Sequence, residues 1–327
     1  MNHNQLKIVF VLSMVVFAVI AKVDRDDLRK TAIQDTISDT SLVAAAKPIV
    51  SNSKKFPQAS DLLDSVKTSP SMLPFYQRNW DIPEPQLQVK AALVSNISEE
   101  GDILFRWQSN NYWPLASLTK LMAAVIAIEE VGFDKIVTIS ETAVSAEGIA
   151  GNFSPEEQYS VSDLVRAMMM VSSNDAASAI AEFYGANAFV DRMQIKAAAL
   201  GMGQTTFADP TGLSFLNQGT AEDLEKLVGY IYNKHPVIFK MTAEKTAIIS
   251  EKISRISRQL VNINPFSATK PDFRGGKTGF TDQAGSNLIS LFDQDGHTIL
   301  VIVLGTQDRF GQTELLYNWF KKAYIFN

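Results

Sequence analysis

The chain has 327 residues, 46% of them apolar, and its 30 basic and 35 acidic side chains give a formal net charge of -5. This length holds one large domain or two small ones with enough apolar material for a core, and the negative charge offers no basic surface for nucleic acid, which we exclude as a partner. The absence of cysteine removes thiol nucleophiles, thiolate metal sites and disulfides. The histidines are His3, His235 and His297, so we expect no metal, no cofactor and a catalytic base other than histidine.

The chain opens with a short apolar segment. Residues 8–21 are 14 nearly uninterrupted apolar residues flanked by Lys7 and Lys22, a run shorter than the roughly 20 residues that cross a bilayer. The pattern favours a signal peptide over residues 1–21, with an uncleaved membrane anchor as the alternative. Both interpretations predict export to the periplasm or the outer face of the cytoplasmic membrane, with membrane association through residues 8–21 if the anchor is kept.

A polar segment separates this start from the folded part. Residues 22–85 are rich in Ser, Asp, Thr, Lys and Pro and are predicted to be a tether, with a short helix around residues 61–66. Residues 86–327 are then a single catalytic domain, because the chain ends soon after its last predicted strand.

Hydrophobic periodicity and capping signatures predict the elements of that domain. Strands are predicted at residues 89–97, 102–107, 273–281, 286–292 and 298–305. Helices are predicted at residues 117–132, 160–171, 176–184, 220–233 and 312–324. Strands at both ends with helices between them predict an α+β fold, in which one antiparallel sheet is built from both ends of the domain and covered by helices.

The first candidate motif is a serine that a lysine could activate. Ser-x-x-Lys occurs at Ser51, Ser117 and Ser267, but only Ser117 begins a strongly apolar helix, where Lys120 lies on the same face one turn later. A lysine with a lowered pKa can act there as the general base. Alone, Ser117 is more typical of a plain helix N-cap.

Two further motifs are equally weak indications of catalysis when each is considered alone. Ser172-Ser173-Asn174 lies between two predicted helices, where an ordinary interhelical turn explains it as well. Lys277-Thr278-Gly279 follows two glycines on a predicted strand, and glycines in a strand let an extended peptide approach an edge. The alternative there is a bulge with a solvated lysine.

The three motifs gain their meaning together. Their order, with steps of 55 residues from Ser117 to Ser172 and 105 from Ser172 to Lys277, is typical of penicillin-binding proteins and class A β-lactamases. With the longer strings from Ala116 to Lys120, Ser172 to Ala176, Asp209 to Leu213 and Gly276 to Gly285, the sequence resembles the serine D-alanyl-D-alanine carboxypeptidase family, the low-molecular-mass penicillin-binding proteins.

The resemblance implies roles for individual residues. Ser117 would attack the carbonyl between the last two D-alanines of a peptidoglycan stem peptide, and Lys120 would take its proton. The pKa of Lys120 must be lowered for this, either by burial or by another cation, for which Lys277 is the candidate. Ser172 would protonate the leaving amine and Asn174 would hold the substrate amide. Lys277 and Thr278 would bind the terminal carboxylate, with Gly279 beside them on the substrate-binding strand, and the N–H groups of Ser117 and Phe280 would form the oxyanion hole.

The resemblance also implies a fold and partners. A helical subdomain is expected beside the sheet, as in serine β-lactamases and transpeptidases. The expected partners are peptidoglycan peptides and β-lactam antibiotics, the latter as covalent inhibitors, in an enzyme of cell-wall biogenesis and cell shape.

Two departures leave the specificity open. Phe280 stands where some carboxypeptidases of the family have histidine. We also expect no further β-rich domain. In this respect the sequence resembles the endopeptidase branch of the family, which cuts D-alanyl cross-links. Carboxypeptidase activity is therefore the first hypothesis and endopeptidase activity the alternative.

Other functions on the same motifs are weaker hypotheses. A class A β-lactamase needs a glutamate to activate the deacylating water, and residues 185–221 contain none; their only acids are Asp191 and Asp209. A non-catalytic cell-wall or β-lactam sensor on this fold stays open. A Ser-Lys esterase or glutaminase is more remote.

Overall fold

The computed structural model describes residues 76–98, 102–148 and 150–326. In chain order the strands are β1 (Tyr76–Arg78), β2 (Ala91–Asn96), β3 (Asp102–Trp107), β4 (Trp113–Pro114), β5 (Ile136–Thr138), β6 (Gln158–Ser160), β7 (Gln218–Gly219), β8 (Thr246–Ser250), β9 (Ser257–Val261), β10 (Phe273–Thr281), β11 (Gly285–Gln294), β12 (His297–Thr306) and β13 (Tyr324–Phe326). The helices are α1 (Thr119–Ile126), α2 (Glu141–Val144), α3 (Val161–Met170), α4 (Asn174–Tyr184), α5 (Ala186–Ala199), α6 (Ala221–Lys234), α7 (Val237–Ala243), α8 (Phe266–Thr269) and α9 (Arg309–Ala323).

A five-stranded antiparallel sheet organises the domain. Its order is β10-β11-β12-β2-β3, so strands from both ends of the domain share it and β10 lies at one edge. The predicted α+β class and the antiparallel sheet are confirmed. The two predicted hairpins, β2 with β3 and β11 with β12, are both present.

The sheet is covered on both faces because its central strands are apolar on both sides. On β12, Val301 and Val303 belong to the cluster that includes Leu316 and Phe320 of α9. The intervening Ile302 belongs to a larger cluster that includes the helices on the other face. The core is thus two apolar layers, one on each side of the sheet.

Helix α1 lies at the centre of the larger cluster. Every one of its residues is buried, and it packs against α3, α5 and α6. The chain enters it through a 3-10 turn at Ala116–Leu118 and leaves it through a π-helical turn at Ala127–Val131, which ends at Gly132 as predicted. A helix with no exposed residue makes a rigid base for side chains at its first turn.

Several elements lie outside the sequence expectations, among them α5 and the hairpin of β8 and β9. Helix α5 buries only Phe189, Met193 and Ala197, a stripe one residue wide at a spacing of four, so its periodicity is faint. The hairpin of β8 and β9 is short and keeps much of its apolar surface exposed, and it too lacks a clear alternation.

The structure also bears on the predicted tether. Residues 1–21, the helix expected at residues 61–66 and most of the tether lie outside the described residues. Within the tether's last part, however, β1 pairs antiparallel with β13, and the guanidinium of Arg78 lies over the rings of Trp319 and Tyr324. Residues 76–85 therefore pack on the folded unit rather than leading up to it, and the predicted C-terminal helix ends at Ala323, before β13. No helix among the described residues is both long and apolar enough to cross a membrane.

Candidate active site

Ser117 lies in the 3-10 turn that leads into α1, and buried asparagines hold the approach to it. The amide of Asn287 donates to the carbonyls of Pro114 and Leu115 at 2.9 and 3.1 Å, and Asn217 accepts from the Leu115 N–H through its main-chain oxygen at 2.8 Å. Ala116 has φ of +50°, a conformation that costs a non-glycine residue about 1–3 kcal/mol. The turn is thus held in a strained backbone conformation, in which Ser117 is half-buried and faces the cleft.

Lys120 is fully buried and points at Ser117. Its Nζ lies 3.1 Å from Ser117 Oγ, 2.6 Å from Asn174 Oδ1 and 2.5 Å from the Thr211 carbonyl oxygen. Burial lowers the pKa of Lys120 from 10.5 to about 7, although the negative charge of Asp209 acts in the opposite direction. At neutral pH this lysine is therefore divided between its charged and neutral forms.

Ser172 and Lys277 form the opposite wall. Lys277 Nζ donates to Ser172 Oγ at 2.9 Å and to the Thr278 carbonyl at 2.8 Å. Burial lowers the pKa of Lys277 well below 10.5, and the positive charges of Lys120 and Arg309 add to the effect. Of the two causes considered for the lowered pKa of Lys120, burial and a second cation, burial is the one that acts, and the influence of a neighbouring cation is seen on Lys277.

Asn174 connects the first two motifs. It is the first residue of α4, whose N-terminus Ser173 caps by accepting the Ala176 N–H. Its Oδ1 accepts from Lys120, and its Nδ2 donates to the Glu147 carbonyl at 2.5 Å. The second predicted motif is therefore more than an interhelical turn, because its asparagine contacts the lysine of the first.

The edge strand β10 places the third motif against the 3-10 turn at Ala116–Leu118. A Cβ on Gly279 would lie 3.0 Å from the Leu115 carbonyl oxygen and 3.3 Å from the Ser117 nitrogen, so glycine lets the two backbones approach. Thr278 is buried, whereas Phe280 is 59% exposed at the end of the strand. Ser117, Lys120, Ser172, Asn174 and the segment 277–280 are thereby brought into one cleft.

Asp209 supports the site without contacting the serine. It accepts hydrogen bonds from the backbone N–H groups of Thr211, Gly212 and Ser214 at 2.7 to 2.9 Å. Burial alone would raise the pKa of Asp209, but these and further hydrogen bonds hold it below its usual range. The folded loop places the Thr211 carbonyl on Lys120, which explains why the string from Asp209 to Leu213 occurs together with the three motifs.

Arg309 is the site residue that sequence reasoning missed. It is the first residue of α9, and its Nη1 donates to the Gly279 carbonyl at 2.9 Å. Burial lowers its pKa from 12.5. The predicted helix began three residues later, at Gln312, and no motif links Arg309 to the Lys-Thr-Gly strand. Its positive charge lies beside the Lys-Thr-Gly strand and favours an anionic ligand there.

Comparison with known proteins identifies the family to which this chain belongs. The family model described as D-alanyl-D-alanine carboxypeptidase matches residues 80–308, which include all three motifs. The chain belongs to the D-alanyl-D-alanine carboxypeptidase family. The family expected from the sequence is confirmed, and with it the expectation of a serine peptidase.

Individual relatives agree with this family. A D-alanyl-D-alanine endopeptidase of Pseudomonas aeruginosa is 29% identical over 251 residues, which cover 74% of this chain and 80% of the relative. The structure of a D-alanyl-D-alanine carboxypeptidase from Mycobacterium tuberculosis superimposes with a TM-score of 0.69 at 25% identity, covering 75% of this chain and 96% of that one. An ampicillin-bound penicillin-binding protein from Listeria monocytogenes gives a TM-score of 0.62 at 28% identity, covering 72% and 98%.

Proposed function

We propose that this member of the D-alanyl-D-alanine carboxypeptidase family removes the terminal D-alanine from peptidoglycan stem peptides through an acyl-enzyme on Ser117. The observation that carries the proposal is the contact of 3.1 Å between Lys120 Nζ and Ser117 Oγ, in a site where burial lowers the pKa of Lys120 to about 7. A base whose pKa lies near the working pH is well matched to take a proton from a serine.

The partners of Lys120 fit the neutral form. A neutral amine has two N–H groups and one lone pair. Asn174 Oδ1 and the Thr211 carbonyl can accept both N–H groups, which leaves the lone pair for the hydroxyl proton of Ser117. Ser117 Oγ then forms a bond to the carbonyl carbon while its proton moves to Lys120, and the carbonyl oxygen takes the negative charge.

The oxyanion and the terminal carboxylate need donors on the opposite side. The N–H groups of Ser117 and Phe280 would hold the oxyanion. Gly279 of β10 lies against the turn at Ala116–Leu118, the nucleophile turn, which brings the two groups to the same place. Lys277 and Thr278 would bind the carboxylate. The charge of Arg309, held beside Gly279, adds to the attraction.

Departure of the amine completes acylation. As the C–N bond breaks, Ser172 donates its hydroxyl proton to the leaving nitrogen and takes a replacement from Lys277, whose Nζ donates to Ser172 Oγ. Asn174 uses one N–H of its amide on Glu147, and the other is left for the substrate carbonyl. Water then attacks the ester carbon, Lys120 returns its proton to Ser117 Oγ as the ester bond breaks, and the proton released by the water restores Lys277 through Ser172.

Endopeptidase activity is the second candidate, because the Pseudomonas aeruginosa relative is named as a D-alanyl-D-alanine endopeptidase. Both activities use the same acylation step and differ only in what departs.

The proposal extends to the rest of the chain. Export, with residues 1–21 as signal peptide or anchor, would bring the catalytic domain to peptidoglycan in the periplasm or at the outer face of the cytoplasmic membrane. β-Lactams would acylate Ser117, a proposal that the ampicillin-bound relative supports.

Labelling with a fluorescent penicillin tests the acyl-enzyme. Wild type should form a covalent adduct that survives denaturation, and Ser117→Ala should form none. Ser267→Ala is the matched control, because Ser267 also stands three residues before a lysine but lies in α8, outside the cleft. Absence of label on folded wild-type protein would reject the proposal.

Product analysis separates the activities. Incubation with a pentapeptide and with cross-linked muropeptides, followed by mass spectrometry, should show release of D-alanine for a carboxypeptidase and cleaved cross-links for an endopeptidase. Labelling without turnover of either substrate would instead favour the sensor.

A further inference from the structure

A cavity of about 230 Å³ lies beside the first residues of β10. Tyr232 of α6, Phe239 and Lys240 of α7, Arg274 of β10 and Leu291 of β11 line it. None of the residues around this cavity has a part in the chemistry proposed above.

A bulge in β10 brings Arg274 to the cavity. Phe273 pairs with Phe292 on β11. Gly275 pairs with the neighbouring Leu291, so Arg274 is an extra residue with no partner on that strand. A bulge changes the direction of the side chain it carries, and the side chain of Arg274 lines the cavity.

Contacts of α7 with β10 lie between the cavity and the catalytic cleft. A Cβ on Gly275 would lie 2.6 Å from the Phe239 carbonyl oxygen. The Gly276 N–H donates to Thr242 Oγ1 at 2.9 Å. Lys277 comes next along the strand, three residues after Arg274, which at about 3.3 Å per residue is about 10 Å. A ligand in the cavity would therefore not occupy the cleft.

The inner surface of the cavity is apolar. Phe239 and Leu291 are 4% and 1% exposed. The hydroxyl of Tyr232 lies 3.1 Å from Thr298 Oγ1, so these two polar groups already satisfy each other. An engineered apolar cavity of about 150 Å³ binds benzene, and the larger volume here has room for a phenyl ring with a short chain.

The charge left without a partner at this cavity is positive. Asp293, which also lines it, accepts from Arg274 Nη2 and from the Gly296 N–H, both at 3.3 Å. Lys240 is exposed, and among the described residues its ammonium group has no ion pair and no hydrogen bond. An anionic group beside Lys240 would gain a partner, whereas a cationic one would be repelled.

We propose that this cavity binds a small monocarboxylate with a compact apolar body, such as a phenylalkanoate. The apolar body lies against Phe239 and Leu291, and the carboxylate contacts Lys240. The site is independent of the proposed function, because it uses neither Ser117 nor the substrate.

Three probes that differ only in their polar end test the site. They are 4-phenylbutyrate, 4-phenylbutanamide and 4-phenylbutylamine, which present an anion, a neutral amide and a cation. Isothermal titration calorimetry with wild type should give a Kd of about 1 mM or tighter for the carboxylate. We expect the amide to bind at least fivefold and the amine at least tenfold more weakly.

One variant assigns the charge. Lys240→Met should bring the Kd of the carboxylate to within twofold of that of the amide, and leave the Kd of the amide unchanged because the apolar surface is intact. Lys135→Met is the matched control, since Lys135 is also exposed but does not line the cavity. It should change neither Kd.

The catalytic cleft also carries cations, so its contribution is measured separately. Protein acylated with benzylpenicillin should bind 4-phenylbutyrate with the same Kd as the free protein. Loss of binding on acylation would place the probe in the cleft and overturn the proposal.

Absence of binding, equal binding of the three probes by wild type, or an unchanged preference for the carboxylate in Lys240→Met would overturn the proposal as well. Failure of benzylpenicillin to acylate wild type would reject the proposed function alone, and the comparison with Lys240→Met would still decide whether the cavity binds the probe.

Discussion

Lys277 Nζ donates a hydrogen bond to Ser172 Oγ at 2.9 Å, joining two residues 105 positions apart. The bond crosses the cleft from the sheet to the helical part, and Asn174, two residues after Ser172, contacts Lys120 from the same side. The three motifs therefore form one connected network. A change in any of these side chains should have an effect that depends on which step it serves.

The pH dependence of acylation should report Lys120. A lysine base acts in its neutral form, so the rate should rise with pH through the lowered pKa of Lys120 and level off above it. With a pKa of about 7, we expect a single rising limb centred near pH 7 in the rate of penicillin acylation. Circular dichroism at each pH controls for unfolding. A limb centred near 10, the range of an ordinary lysine, would contradict the role of burial.

Ser172 and its neighbour Ser173 should separate chemistry from folding. Ser172→Ala removes the proposed proton donor to the leaving amine, and we expect kcat/KM for the peptide to fall by about 10²–10⁴ with little change in stability. Ser173→Ala removes the N-cap of α4 and should cost about 1 kcal/mol of stability. Steady-state kinetics and urea unfolding of both variants check the pair, and equal rate losses would argue against a catalytic role for Ser172.

The candidate site residues could be predicted from sequence because the proposed chemistry restricts both residue type and spacing. A lysine one helical turn after Ser117 must face the serine, and the structure confirms the contact. The position of Asn174 followed from the same combination of motifs. These are relations along a single helix or a single strand, which a linear pattern can carry.

Other features depend on how helices and strands pack against each other, and no local sequence pattern predicts them. Arg309 reaches Gly279 because α9 begins three residues before the predicted start and lies against the sheet. Helix α5 is not predicted from the sequence, because only three of its residues are buried and its hydrophobic periodicity is weak. The pairing of β1 with β13 joins segments at opposite ends of the described chain, so neither strand shows it alone.

Arg309 should matter for substrates with a free terminal carboxylate. We expect Arg309→Ala to raise KM for a D-alanyl-D-alanine peptide about tenfold, because it removes a half-buried cation beside the carboxylate site. The same peptide with a C-terminal amide should bind wild type and variant alike. Arg274→Ala is the control, since Arg274 pairs with Asp293 at 3.3 Å and both are exposed. Equal KM ratios for carboxylate and amide would place Arg309 in a structural role only.

Glycine at position 212 should be essential to the shape of the nucleophile turn. Gly212 has φ of +85°, and a Cβ there would lie 1.9 Å from the Ala116 carbonyl oxygen. Gly212→Ala must therefore displace the turn that carries Ser117, and we expect penicillin acylation to slow at least a hundredfold, with a loss of about 2 kcal/mol or more in stability. The measurements are labelling kinetics and urea unfolding.

The matched substitution at Gly229 should have the opposite effect on stability. Gly229 lies inside α6, and nothing stands within 4 Å of its missing Cβ. Gly229→Ala should therefore stabilise the protein by about 0.5–1 kcal/mol, since alanine loses less backbone entropy in a helix, with acylation unchanged. If Gly212→Ala were acylated as fast as Gly229→Ala, contact between the loop at Thr211–Leu213 and the nucleophile turn would have no part in holding Ser117. That result would leave the asparagine contacts from Asn217 and Asn287 as the support of the turn.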